Sequence, residues 1–235
     1  MTHMHIPDGI LPAGLWLLGL IAMAMAVGFS LFRLRGMDMA RNIPLLGVVS
    51  AAMLVAMSLE ILPLFYHINL SVVAGILLGP ALGFLAAFIS NVILALMGHG
   101  GITVIGLNTL LLGSEAVLGH TLFHLFRRLP VFWRAVSATV LTLFMTTVAL
   151  IGLVAISHID PELISHADEH VLIHEGQASV QTFAIMVLSF GIIGWAIEAA
   201  ITGAVVRFIS QVKPDLLDHA LHREKDGIQP MVNML

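Results

Sequence analysis

The sequence from residue 11 to residue 32 is LPAGLWLLGLIAMAMAVGFSLF, a run of 22 residues without a charged side chain. A helix needs about 20 apolar residues to cross the hydrocarbon core of a bilayer. Pro12 falls in the first turn of such a helix, where its missing N–H removes no hydrogen bond. Backbone polar groups find no water inside a bilayer and must be satisfied within the segment. The stretch therefore predicts a membrane-spanning helix close to the start of the sequence.

The composition extends this prediction to the whole chain. Of its 235 residues, 59% are hydrophobic and only 10% are charged, whereas soluble domains carry about 25% charged residues. We predict an all-α, polytopic membrane protein that forms one integral membrane domain over residues 1–235. Cysteine is absent, which excludes disulfides, thiolate metal sites and cysteine nucleophiles.

Apolar segments separated by short polar turns predict about seven transmembrane helices, which form a bundle over residues 11–210. The later segments cover residues 44–63, 70–79, 81–97, 102–126, 133–157 and 180–210. The segment near 70–80 is short, because Pro80 interrupts the apolar run directly after Gly79. Residues 70–97 are too few for two full crossings of a bilayer, so we expect a broken hairpin that bends at Gly79–Pro80.

The basic residues give the expected orientation. All ten fall in three places, at residues 33–41, 127–134 and 207–225. Lys and Arg favour the cytoplasmic side of a membrane, so we expect these segments inside. One span separates residues 1–10 from the first basic loop, which places the N-terminus outside. The tail, residues 211–235, is then cytoplasmic.

By the same count of crossings, four segments that carry histidine share the outer face, and none of them contains Lys or Arg. They are residues 1–10, His67, His99 and the loop 158–179. The loop holds His158, His166, His170 and His174 among acidic residues. Collection of metal ions and a solvated acidic loop are both open interpretations of that loop. The shared face suits capture of a cation.

The N-terminal histidines indicate which cations. A terminal amine, a deprotonated backbone amide and an imidazole provide nitrogen donors in one plane. Planar nitrogen coordination favours Ni(II) and Cu(II), and low-spin Co(II) less strongly, whereas Zn(II) prefers a tetrahedron. A fourth nitrogen has to complete the square, and His67 or His99 could supply it.

Three motifs give the chain a family resemblance. They are Met4-His5-Ile6-Pro7-Asp8-Gly9, Gly98-His99-Gly100-Gly101-Ile102-Thr103 with Gly106 and Asn108, and Glu198-Ala199-Ala200-Ile201-Thr202. With these motifs the chain, from Met4 to about Ser210, resembles the CbiM/NikM family. That family comprises the substrate-binding (S) components of energy-coupling factor transporters for cobalt and nickel. The resemblance implies a multi-pass protein of the inner cell membrane of a bacterium or an archaeon.

The resemblance also implies a ligand set, in which the amine of Met4, the amide and imidazole of His5, and the imidazole of His67 hold the metal. Met1-Thr2-His3 precedes the family's usual start, so three registers are open. The native chain begins at Met4; or Met1 is kept and His3 becomes the N-terminal ligand; or Met1 is removed and Thr2 with His3 takes the place of Met4 with His5. We favour a start at Met4. His99 is either a further ligand or hydrogen-bond donor, or part of a turn that packs over the N-terminus.

The sequence also indicates where the energy comes from. It has no glycine-rich phosphate-binding run with Lys and Ser or Thr, so we expect a transporter subunit and not an enzyme. The resemblance implies a transmembrane coupling (T) component, two cytosolic ATPases and often a small accessory membrane protein as partners. The metal is then the transported substrate, Ni(II) or Co(II), and no cofactor or nucleic acid is expected.

Two other functions compete with this one. A stand-alone secondary metal permease needs acids and histidines along several spans, for which Glu60 and Glu115 are candidates. An intramembrane hydrolase needs a motif such as His-Glu-x-x-His, but His174-Glu175 continues as Gly176-Gln177-Ala178. Glu198 also lies within a span and is a candidate functional residue. It sits one turn before Thr202 and could instead join a hydrogen-bond network between helices. His120 and His124 are expected to be structural or to contact a partner.

Overall fold

A computed structural model describes residues 13–37, 39–40, 42–58, 60–61, 66–157 and 180–217. Within these ranges the chain forms seven helices of at least eight residues. They are α1 Ala13–Arg33, α2 Asn42–Ser58, α3 Ser71–Leu78, α4 Pro80–Leu96, α5 Ile105–Leu125, α6 Val131–Ser157 and α7 Val180–Val212. Between α2 and α3, β1 Glu60–Ile61 pairs antiparallel with β2 Tyr66–His67. This two-residue pair interrupts an otherwise helical fold.

Three of the described helices are long and apolar enough to cross a membrane: α1, the part Val131–Leu153 of α6, and the part Val187–Val212 of α7. Helices α2 and α4 are also apolar but have 17 residues each. Helix α5 has 21 residues but carries several buried polar side chains. The helical, apolar fold is confirmed, while the count of crossings and the sides of the two termini stay predictions.

The expected break near residue 80 is present. All eight residues of α3 are buried, and Gly79 has φ +80°, a conformation that glycine adopts without steric cost. Pro80 follows as the first residue of α4, a position where proline fits well. A Cβ added to Gly83 would lie 2.9 Å from Cα of Gly75, so α4 folds back against α3. The predicted broken hairpin is therefore confirmed.

Helix α5 lies at the centre of the bundle. It packs against α1, α3, α4 and α6, and α7 packs mainly on α6. Gly106 allows α5 to cross α1 closely, because a Cβ there would lie 2.5 Å from the backbone carbon of Gly19. Gly113 likewise makes room for the ring of Phe84 in α4. These contacts surround α5 with protein, which is why it tolerates polar residues.

Several helix ends meet in one apolar cluster. Val104, Leu150 and Val187 are buried there, and Leu15 and Trp16 pack against them. These residues lie near the start of α1, the start of α5, the end of α6 and the start of α7. We call this part of the molecule the N-terminal end of the bundle. The helix ends that lead into residues 1–12 and into the loop 158–179 therefore lie together.

Candidate metal site

The predicted ligands divide into two groups. Met4 and His5, with the alternative ligand His3, lie outside the described residues, as does the histidine-rich loop 158–179. His67 and His99 are described. In the part of the chain that the structure covers, no three His, Asp or Glu side chains gather closely enough to hold a metal. Within that part, His67 and His99 therefore form no site by themselves.

His67 is the last residue of β2 and is half-buried. Its Cα lies opposite that of Glu60 in β1, and α2 contacts β2. Four residues further on, Ser71 begins the fully buried helix α3. The backbone that carries His67 is thus held between a strand pair on one side and a buried helix start on the other.

Asn69 fixes that helix start. It is completely buried, and its Oδ1 accepts a hydrogen bond from the backbone N–H of Ser71 at 2.8 Å and another from the Ser71 hydroxyl. A backbone N–H can only donate, so Oδ1 and not Nδ2 has to face Ser71. The Asn69 amide group therefore points its Nδ2 away from α3, where it donates to Oε2 of Glu115 in α5.

Glu115 receives a second bond from a third helix. The hydroxyl of Thr146 in α6 lies 3.2 Å from Oε1 of Glu115. It lies equally far from the backbone carbonyls of Thr142 and Leu143, so three acceptors share its one proton. Glu115 as a whole is 5% exposed, and a buried acid is costly unless its oxygens are bonded. Each oxygen has a donor within hydrogen-bond distance, Asn69 for Oε2 and Thr146 for Oε1. These bonds join Glu115 to the segment before α3 and to α6. The side chain of Glu60, the other acid considered for a stand-alone permease, lies outside the description.

His99 lies in the turn that follows α4, and its side chain is exposed. Its backbone N–H donates to the carbonyl of Leu94 at 2.9 Å, and its neighbours Gly98 and Gly100 have φ +85° and +95°. Helix α4 has 17 residues and α3 has 8. At 1.5 Å per residue, α4 is about 13 Å longer than α3. Both helices meet at the bend Gly79–Pro80, so the end of α4 lies up to that much further from the bend than the start of α3 does. The described hydrogen bond of His99 thus stabilises the turn that follows α4.

The other histidines of α5 bind backbone. His120 is buried, and its Nδ1 lies 3.0 Å from the carbonyl oxygen of Gly75. Nδ1 of His124 lies 2.8 Å from the carbonyl oxygen of His120. Because a carbonyl only accepts, each Nδ1 carries a proton. These bonds agree with the structural role expected for both residues. Glu198 is fully buried. Among the described residues the buried hydroxyl of Thr202 has no hydrogen-bond partner, so a side-chain bond between Glu198 and Thr202 is not formed.

Asn69, Ser71 and Thr146 were not among the residues predicted from the sequence. An Asn two residues before a Ser at the start of an apolar run was the available signal, because such side chains bond the backbone two residues on. The partner of Asn69 had no local signal. Glu115 lies 46 positions away in the chain.

Two known proteins that are similar to this chain are both named for metal transport. A protein of Haloquadratum walsbyi named for metal transport is 34% identical over 225 residues, covering 91% of this chain and 93% of that protein. An Archaeoglobus fulgidus protein named as a fused nickel transport protein is 28% identical over 220 residues, covering 92% of this chain and 68% of that protein. Both alignments run over nearly all of this chain.

Solved structures show the same fold. The crystal structure of a transition metal transporter has a TM-score of 0.73 and 21% identity, and covers 93% of this chain and 98% of that chain. A truncated transition metal transporter has a TM-score of 0.71 and 20% identity, and covers 88% of this chain and 99% of that chain.

The family assignment rests on sequence. The family model described as the cobalt uptake substrate-specific transmembrane region, CbiM, matches residues 5–216. That range contains His5 and His67, the glycine-rich turn around His99 and the Glu198–Thr202 motif. The resemblance drawn from these motifs is confirmed, and the chain belongs to the CbiM family of transition-metal transport membrane proteins.

Proposed function

We propose that this protein is the substrate-binding membrane subunit of an ATP-driven energy-coupling factor importer for Ni(II) or Co(II). The main support for the proposal is the position of the His67 segment relative to α5 and α1. Asn69 binds Glu115 in α5, and Leu111, one turn earlier in α5, packs in the apolar cluster with Leu15 and Trp16 of α1. The His67 segment and the start of α1 thus approach the same part of α5.

Chain length allows the N-terminal donors to join His67. Nine residue steps separate Met4 from Ala13, the first residue of α1. An extended chain of that length spans up to about 30 Å. We infer that the Met4 amine, the His5 amide and the His5 imidazole supply three nitrogens in a plane, and that His67 supplies the fourth. Such a set selects Ni(II) or Co(II) over metals that prefer oxygen ligands or a tetrahedron.

The arrangement of charge supports an outward-facing site. Arg33 ends α1, and Arg127 and Arg128 follow α5. Both helices start at the N-terminal end of the bundle, so these cations lie at the opposite end. Because Lys and Arg mark the cytoplasmic side, we infer that the N-terminal end of the bundle faces outward and receives the metal.

Energy would come from partner proteins: a transmembrane coupling component, two cytosolic ATPases and often a small accessory membrane protein. Isolation of the tag-free complex from native membranes tests this directly. We expect ATPase subunits to co-purify and metal uptake into vesicles to require ATP. A chain that carries Ni(II) or Co(II) into vesicles alone, without ATP, would instead be a stand-alone permease.

Calorimetric titration of Ni(II) and Co(II) into the purified, tag-free protein tests the ligand set. We expect His67→Ala to abolish tight binding, because a plane of four donors loses one. His170→Ala, the matched control in loop 158–179, should leave the affinity of the single site nearly unchanged. Equal losses in the two variants would move the site to the loop.

A further inference from the structure

The bonds around Asn69 give a function to a carboxyl group that supplies no metal ligand. We propose that Glu115 is a positioning residue of the metal site: it orients Asn69, which sets the backbone that carries His67, and Thr146 holds the carboxyl group in place. This inference rests on the proposed function, in which His67 is a ligand.

The His67 segment is held on both sides over a short stretch of chain. His67 is paired with Glu60 through the strand ladder, and Asn69 is bonded two residues later. Two residues of extended chain cover about 7 Å. With both sides of so short a segment held, the Cα of His67 has little freedom to move, and the imidazole starts from a fixed base.

The hydrogen bonds of Asn69 set the direction of its amide group. Ser71 occupies its Oδ1 with two donors, so the NH₂ group is available only on the other side, where Glu115 accepts from it. Without that acceptor, the completely buried NH₂ would lose its bond to Glu115, which favours a turn of the side chain. Turning the amide breaks the bond to the Ser71 N–H and shifts the start of α3.

Planar metal binding depends on the exact position of the fourth donor. A fourth donor stabilises a planar Ni(II) complex only when its nitrogen lies in the plane of the other three, so small displacements of His67 cost affinity. Sites of this kind depend on partners outside the ligand set that lock the ligands in place. Glu115 and Thr146 belong to α5 and α6, so two rigid helices set the position of His67.

A purely structural role would give a different result. If Glu115 only joined three elements of the bundle, its loss would lower the stability of the metal-free protein and leave the spectrum of bound Ni(II) unchanged. If it positions His67, its loss weakens metal binding and changes that spectrum, and a variant that restores the acceptor restores both.

The test uses the full-length, tag-free protein with Ni²⁺ as the probe. Affinity comes from calorimetric titration, geometry from the visible absorption of bound Ni(II), and folding from thermal unfolding of the metal-free protein. We expect Asn69→Ala and Glu115→Ala to weaken binding about 10- to 100-fold, the range seen when partners outside a ligand set are removed. Glu115→Gln should bind like the wild type, because its carbonyl still accepts from Asn69 and its NH₂ can donate to the Thr146 hydroxyl.

Thr146→Val and its control Thr139→Val form the decisive pair of variants, because both residues lie in α6. Thr139 is also buried. Among the described hydrogen bonds, its hydroxyl donates only to the carbonyl of Ala135, one turn away in the same helix. We expect Thr146→Val to weaken Ni²⁺ binding and change the absorption, and Thr139→Val to do neither. If Glu115→Ala does not fold, this pair still decides the question.

Two outcomes overturn the inference in distinguishable ways. Loss of binding in His67→Ala, with wild-type affinity and absorption in Asn69→Ala, Glu115→Ala and Thr146→Val, removes the role of Glu115 and leaves the proposed function standing. Wild-type binding in His67→Ala removes the proposed ligand set and the inference with it.

Discussion

Gly75 of α3 contacts the backbone of Ala116 in α5 so closely that a Cβ at position 75 would lie 1.9 Å from the Ala116 carbonyl oxygen. The neighbouring residue of α5, Glu115, binds Asn69 just before α3 begins. One turn of α5 thus fixes α3 in its middle and at its start. The segment that carries His67 leads directly into this contact.

The first prediction concerns that approach. Gly75→Ala should destabilise the fold by about 1–3 kcal/mol or more, because the added methyl meets backbone that cannot rotate away. Thermal unfolding of the metal-free protein in detergent measures the effect. Gly47→Ala is the control, since a Cβ at that position of α2 has nothing within 4 Å. Equal unfolding temperatures for the two variants would contradict the close packing of α3 on α5.

The second prediction concerns the orientation in the membrane. The chain has no cysteine, so a single cysteine can be placed before or after α5, at Thr103 or Leu129, both of which are exposed. We expect an impermeant maleimide to label Thr103→Cys in intact cells and Leu129→Cys only after the membrane is opened. Labelling of both residues from the same side would contradict the proposed topology.

The third prediction concerns the N-terminal register. We expect mass spectrometry to find a native chain that begins at Met4, and His5→Ala to abolish metal binding. The reason is that Ile6 to Gly9 then keep a fixed distance between the amine and α1, whereas a shift of three residues moves the donors by up to about 10 Å. A native chain that begins at Met1 and loses the metal with His3→Ala, but not with His5→Ala, would show that His3 is the ligand.

The fourth prediction concerns the opposite end of the bundle. The Arg134 side chain of α6 donates to the carbonyl of Phe123 in α5, and its guanidinium carbon lies 3.8 Å from the centre of the Phe123 ring. Arg134→Ala should cost about 1–3 kcal/mol of stability, since it removes a charge-assisted hydrogen bond and a cation–π contact. Arg128→Ala, at an exposed position, should change the unfolding temperature little. Metal affinity should be unchanged in both.

Much of the fold could be predicted from the sequence, because lipid imposes long apolar helices and because Gly and Pro interrupt them. The break at Gly79–Pro80 followed from counting residues against the thickness of a bilayer. The pairing of β1 with β2 could not be predicted, since two residues are too few to show an alternating pattern.

The central position of α5 could not be predicted from the sequence pattern either. Asn108, Glu115 and His120 make α5 more polar than its neighbours, and hydropathy alone does not show whether such a helix faces lipid or protein. The contact of Asn69 with Glu115 joins segments far apart in the chain, which no local motif encodes. The ligands proposed from the N-terminal motif stay predictions, because Met4 and His5 lie outside the described residues.

X-ray absorption spectroscopy of Ni(II) bound to the tag-free protein measures the geometry of the proposed metal site directly. We expect four nitrogen neighbours in a planar arrangement, and the loss of this arrangement in His67→Ala. A coordination shell rich in oxygen, or a planar shell that His67→Ala leaves unchanged, would contradict capture of the metal by the N-terminus and His67.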